Sequence, residues 1–204
     1  MKKWSLFIAT LSLLAFRFPV KVEDWLLQRE KKGIKVFTRH SKWGKLKDSK
    51  AVMLLHAKLE DVVQLITDYK SYPLWMPRCK KARILAHISD DEFIGYLCYD
   101  SPWPVADRDC VSRVKIIREP QTGSVTILQT SEPHYIKEED GVVRLQQMTG
   151  RWKVTAKGDA VEVLNEYSTN PGGNLPDWLV NTQSVENPFE MFTVIQERMA
   201  AQKH

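Results

Sequence analysis

From residue 82 to residue 168 the chain offers one strand-like run after another, and no stretch among them has the apolar spacing of a helix. The runs cover residues 82–88, 92–99, 105–117, 124–130, 142–156 and 160–168. Turn sequences such as Ser89-Asp90-Asp91 and Pro120-Gln121-Thr122-Gly123 separate them. Parallel strands need a crossover of a dozen or more residues, usually a helix, so these short connections predict an antiparallel sheet. After Asn170-Pro171-Gly172-Gly173 the period changes. Across residues 176–203, Trp178, Val185, Phe189, Phe192, Ile195 and Met199 recur at helical spacing. Such a helix rises roughly 40 Å. Pro176 suits its first turn, Asp177 complements the dipole there, and Pro188 predicts a kink because it removes one ladder bond.

A long helix with a wide apolar face laid on a curved antiparallel sheet is an α+β helix-grip arrangement, and its natural interior is a hydrophobic cavity. Upstream, residues 23–31 read as a short helix with Trp25, Leu26 and Arg29 on one side, stopped near Gly33. Strands follow at 34–39 and 50–57. In the second, Ala51, Met53, Leu55 and Ala57 alternate with Val52, Leu54 and His56. Both faces are mostly apolar, which predicts a sheet covered on both sides or enclosing something. Residues 59–69 place Leu59, Val62, Val63 and Ile66 on one helical face, and the breaker YPLWMP (72–77) ends it. No linker, repeat or glycine-rich phosphate loop interrupts residues 22–203, which read as one monomeric domain.

Composition narrows the function. With 43% apolar and 27% charged residues the chain can bury an ordinary core, and its net charge of +5 is scattered over short solvated stretches. No nucleic-acid module is visible. Cys79, Cys98 and Cys110 are too few and too widely spaced for a zinc knuckle or a disulfide framework and read as core residues. The five histidines occur singly, without metal-ligand spacing, and neither a serine elbow nor a cysteine–histidine signature is present. The expectation is therefore a non-enzymatic protein with no metal and no cofactor. Residues 1–16, Lys2-Lys3 and then a short apolar run, have the form of a secretory signal too short to span a bilayer comfortably. They predict an exported chain, periplasmic or extracellular. An uncleaved anchor, or a cytoplasmic protein, is the alternative.

Four stretches carry a resemblance: PWPVADRDCV (102–111), NPGGNLPDWLVN (170–181), DWLLQREKKGIKVFTR (24–39) and YPLWMP (72–77). Together they resemble the START domain, the steroidogenic-acute-regulatory-related lipid-transfer family, over residues 22–203. The resemblance implies a protein that encloses one lipid-like molecule between sheet and C-terminal helix and meets membrane surfaces transiently. Members bind sterols, phospholipids, ceramides or other hydrophobic ligands. Two alternatives stand beside lipid binding or transfer: a helix-grip cyclase or aromatase acting on a hydrophobic small molecule, and a membrane-tethered lipid-sensing adaptor. The resemblance also makes 118–124 a gating loop, with Arg118 and Gly123 in it and Pro188 as the yielding point of the helix. In several animal relatives an arginine six residues beyond the first arginine of the Arg-Asp pair points into the cavity. Val114 stands at that position here, and Arg113, one residue earlier, faces the other side of a regular strand.

The strand facing that puts Val114 inside also puts Cys110 and Ser112 there, with Ser112 as a polar handle. Trp75, one of Tyr96 and Tyr99 (Tyr96 preferred, with Cys98), and the helical residues Trp178, Val185, Phe189 and Phe192 complete the expected lining. In the 101–109 corner Pro102 and Pro104 end one strand, since neither donates to a ladder. Trp103 is expected to anchor the corner, and Arg108, set between Asp107 and Asp109 where the new strand begins, to be held by a carboxylate that locks the rim.

Overall fold

The computed structural model describes residues 24–173 and 175–201, so the leader at 1–16 lies outside them. Among the described residues ten strands form one sheet: β1 (Leu26–Lys31), β2 (Ile34–His40), β3 (Lys47–Leu55), β4 (Cys79–Ser89), β5 (Glu92–Tyr99), β6 (Asp107–Glu119), β7 (Ser124–Ser131), β8 (Val142–Arg144), β9 (Gln147–Lys157) and β10 (Ala160–Asn170). Their spatial order is β1-β2-β3-β10-β9-β7-β6-β5-β4, antiparallel throughout, with β8 added in parallel beside the start of β6. The last strand thus closes against the third, Val163 opposite Met53, and joins the N-terminal strands to the meander. Helix α1 (Leu59–Thr67) and a 3₁₀ turn (Tyr69–Leu74) sit between β3 and β4, and α2 (Asp177–Ala201) crosses the concave face against β2 and β3.

Three expectations change. Residues 26–31 are a strand, because Lys32 (φ 54°) and Gly33 (φ 76°) make the two-residue left-handed turn that joins a tight hairpin, pairing Lys31 with Ile34. The run 142–156 is two strands, broken at Leu145-Gln146 where the chain leaves β6 to pair with β7 and β10. In β3 only one face is covered: Ala51, Met53 and Leu55 are buried, whereas Leu54 is exposed.

The main core lies between the concave face and the helices. It joins Ile34, Val36, Met53, Trp152, Val154 and Val163 to Val62 and Ile66 of α1 and to Phe192, Ile195 and Met199 of α2. Phe192 stacks on Trp152 with ring centroids 5.8 Å apart. A second core on the convex face unites Ile94, Tyr96, Cys98 and Val111, with Ile136 and Val142 packed against it. Helix α2 runs through Pro188 as one element of 25 residues. The ladder bond missing at Pro188 leaves the Ser184 carbonyl without its usual helical donor. Arg29 of β1 fastens the helix from outside, pairing with Glu186 at 2.5 Å while its guanidinium lies 3.6 Å from the Phe189 ring centre.

Candidate functional site

A pocket of about 330 Å³ opens between the concave sheet face and the N-terminal half of α2. Leu97, Tyr99, Trp152, Asn165 and Tyr167 line it from the sheet; Leu179, Val180, Gln183, Asn187, Pro188 and Met191 line it from the helix. The helical residues fall on one stripe, and with Ser184 three of its seven members are polar. Its inner end is closed by aromatic packing. Tyr69 stacks on Tyr72 at 4.7 Å and meets Phe93 edge-on, and Tyr72 meets Trp75 edge-on. Gly95 is what admits Tyr69: a Cβ there would lie 2.3 Å from Tyr69 Cε1. Gln129 Nε2 donates to the Tyr69 hydroxyl at 3.0 Å, and the Tyr72 hydroxyl donates to the Ile66 carbonyl. Burial pushes the Tyr99 and Tyr167 phenols well above their ordinary range, so both face the pocket as neutral groups.

None of the residues expected to line a ligand touches this pocket; Pro188, expected as the yielding point of the helix, does. Trp75 is core, its Nε1 donating to Ser71 Oγ at 3.2 Å. Tyr96 and Cys98 belong to the convex-face core, and it is Tyr99 that reaches the pocket. The pair has opposite facing, as strand alternation requires, but the preferred member is the outward one. Cys110 packs with Leu145 and Met148 one layer behind Tyr167. Ser112 is buried beside Tyr69, and Val114 lies in the main core; both are on the inner face but behind the aromatic plug. Val185, Phe189 and Phe192 press α2 onto the sheet, and Trp178 is 68% exposed. Val185, Phe189 and Phe192 mark the helix–sheet seam, whereas the pocket stripe mixes Leu179, Val180 and Met191 with Gln183, Ser184 and Asn187.

The expected gate lies elsewhere too. Arg118 pairs with Glu60 of α1 at 2.9 Å, and Gly123 (φ 59°) turns a loop tied down by Thr122 and Ser124 hydroxyls donating to Glu119. Neither Arg118 nor Gly123 touches the pocket. Arg113 faces outward and pairs with Glu92 and Glu132 at 2.9 and 3.1 Å.

At the 101–109 corner, strand alternation splits the Arg-Asp pair. Asp109 points to the convex side, where Arg144 holds it through two hydrogen bonds of 2.7 and 2.9 Å, both side chains fully buried. The remaining Arg144 donors go to the carbonyls of Pro133 (2.8 Å), Ile136 (3.2 Å) and Lys137 (3.5 Å). All five N–H groups are used, and residues 133–137 are strapped over the convex core. Arg108 points to the concave side and lines the pocket. The expected carboxylate lock is therefore made by Asp109 and Arg144, not by Arg108. Asp107, facing outward, receives Lys80 at 2.7 Å, and that contact holds its carboxyl below the usual range. Trp103, expected as an anchor, is 93% exposed.

The profile of the START domain family matches residues 11–202. The chain belongs to that family. A relative in Pseudomonas aeruginosa, an uncharacterized protein, is 33% identical over 182 residues, covering 89% of this chain and 88% of its own. Mouse phosphatidylcholine transfer protein is 26% identical over 166 residues, 78% of this START domain chain and 75% of the relative. Among solved structures, the STAR-related lipid transfer protein of Xanthomonas axonopodis superposes with a TM-score of 0.80 at 30% identity, covering 86% of this chain and 98% of that one.

Proposed function

We propose that this START domain binds one lipid-like molecule in the pocket between sheet and α2 and does so without chemistry. The observation that carries the reading is the pocket's place: it adjoins the main core, walled by Leu97, Tyr99, Trp152 and Met191, and is lined at one corner by Ser101, Pro102, Val105 and Arg108. About 0.8 kcal/mol per methylene withdrawn from water gives a twelve-carbon chain roughly 10 kcal/mol of gross stabilisation. That is of the order of the ~4–15 kcal/mol that association consumes, so a few added contacts decide affinity. A volume of about 330 Å³ stands at the lower end of the ~300–1,000 Å³ usual for ligand sites. One chain or one compact ring system fits it better than two full acyl chains. Among the described residues Asp100 is the one carboxylate in the lining and lies 3.6 Å from Lys80, and no histidine joins it. A convergent acid–base set is what a cyclase needs, which favours binding.

The rim supports transient contact with a bilayer. Trp103 stands between the lining residues Pro102 and Val105, Trp178 precedes Leu179, and Leu74 lies two residues before Met76. These three are 93%, 68% and 79% exposed. Exposed aromatic rings beside an apolar opening suit the headgroup region. Similarity to proteins named for lipid and phosphatidylcholine transfer supports the same reading. The test is a pocket-filling variant, Ser184→Trp, titrated with a fluorescent fatty acid. Saturable binding at one probe per wild-type chain, lost in the variant while its unfolding temperature holds, is the expected result. Equal binding by the two proteins places the probe elsewhere and overturns the proposal.

A further inference from the structure

Arg108 is only 9% exposed, yet no carboxylate pairs with it among the described residues. Its Nη1 donates to the Ala106 carbonyl and its Nη2 to the Gly172 carbonyl at 3.4 Å, while Nε is buried without any acceptor. Among the described residues two of its five donors are engaged. By contrast, every donor of Arg144 across the sheet has a partner. A buried guanidinium left this way is costly unless something else completes it. Arg108 lines the pocket. The loop after β10 closes over the guanidinium from above: Gly172 and Gly173 take φ of 64° and 68°, and a Cβ on Gly173 would stand 3.3 Å from Arg108 Nη2. Lys47 and Arg78 also line the pocket and have no ion-pair partner among the described residues, whereas Asp100, the opposing charge, has Lys80. The polar end of the pocket is therefore cationic.

We propose that Arg108 is the receptor for an anionic head, a phosphate or carboxylate, on an amphiphile whose chain occupies the pocket. The planar fork of a guanidinium presents parallel donors to two oxygens of either group. The NPGG turn acts as the cover that excludes water from the contact. This rests on the binding reading given above and deepens it to a class of ligand.

The experiment is calorimetric titration of the full chain with three probes sharing a twelve-carbon chain, dodecyl phosphate, dodecanoate and dodecanol, and with inorganic phosphate. Charge-assisted hydrogen bonds predict that wild type takes the two anionic probes about ten- to a hundredfold more tightly than dodecanol. Arg108→Gln is expected to lose that preference while still binding dodecanol, and Arg108→Lys, a point charge without the fork, to keep part of it. Empty Arg108→Gln is expected to unfold at or above the wild-type temperature, since an unsatisfied buried charge is removed. Equal affinity of wild type for all three probes overturns the proposal and leaves the binding reading standing. Failure of every probe to bind overturns both. An Arg108→Gln variant that unfolds well below wild type and weakens all probes alike makes the residue structural and overturns the proposal. So does binding of inorganic phosphate as tight as that of dodecyl phosphate, which assigns the site to a free anion.

Discussion

Replacing Arg144 by methionine tests the convex-face strap. The substitution keeps an unbranched apolar chain in place but leaves the Asp109 carboxylate buried and alone, and strips donors from the carbonyls of Pro133, Ile136 and Lys137. Removing one member of a buried pair costs about 3–5 kcal/mol. A domain of this length loses roughly 2–4 °C of unfolding temperature per kcal/mol, so the midpoint should fall by about 6–20 °C. A second readout locates the damage. Cys98 lies in the small core that the strap covers, so in Arg144→Met it should react with a thiol reagent well below the unfolding temperature. Adding Asp109→Leu removes the stranded charge and should recover most of the lost stability, because the penalty belongs to the broken pair rather than to the pair's net worth. Thermal unfolding by circular dichroism with timed thiol labelling measures all of this. A loss under about 1 kcal/mol, the range of exposed ion pairs, or a double variant no better than the single one, would refute the reasoning.

Other consequences follow from the same geometry. Gly95→Ala drives a methyl into Tyr69 and should destabilise by about 1–3 kcal/mol, with dye-monitored unfolding as the check. Burial pushes the Cys79 thiol up to about 11 and Cys110 up to about 12, leaving at most about one thiolate in a thousand at pH 8. Native protein should then label negligibly at that pH, while denatured protein labels at all three cysteines. Trp103→Ser and Trp178→Ser should slow lipid exchange between vesicles without changing the affinity for a soluble single-chain ligand, as read by vesicle-transfer fluorescence.

The sheet was legible because strands leave a local record. The strand of 92–99 and the start of the helix at 59 could be read from the local pattern, although that helix ends at Thr67 rather than residue 69, and the change from strand to helix from Pro171-Gly172-Gly173, although the last strand runs on from residue 168 to Asn170. The hairpin at 26–31 was not, because Trp25, Leu26 and Arg29 also fit a helical face; Lys32-Gly33 was the decisive signal and is only two residues long. The site was less legible than the fold. Adjacent charges at 108 and 109 invite a shared role, but alternation sends them to opposite faces. The true partner of Asp109 comes from 35 residues downstream, with nothing periodic to announce it. Likewise, the pocket stripe of α2 carries Gln183, Ser184 and Asn187, and a partly polar stripe looks like a solvated surface until the sheet is seen to curve beneath it.

The most direct test of the central claim is native mass spectrometry of the purified chain, followed by organic extraction and identification of what comes off. The expected result is one equivalent of a single-chain or compact amphiphile with a phosphate or carboxylate head. A chain that is empty as purified, and still empty after incubation with mixed lipids and sterols, would contradict it.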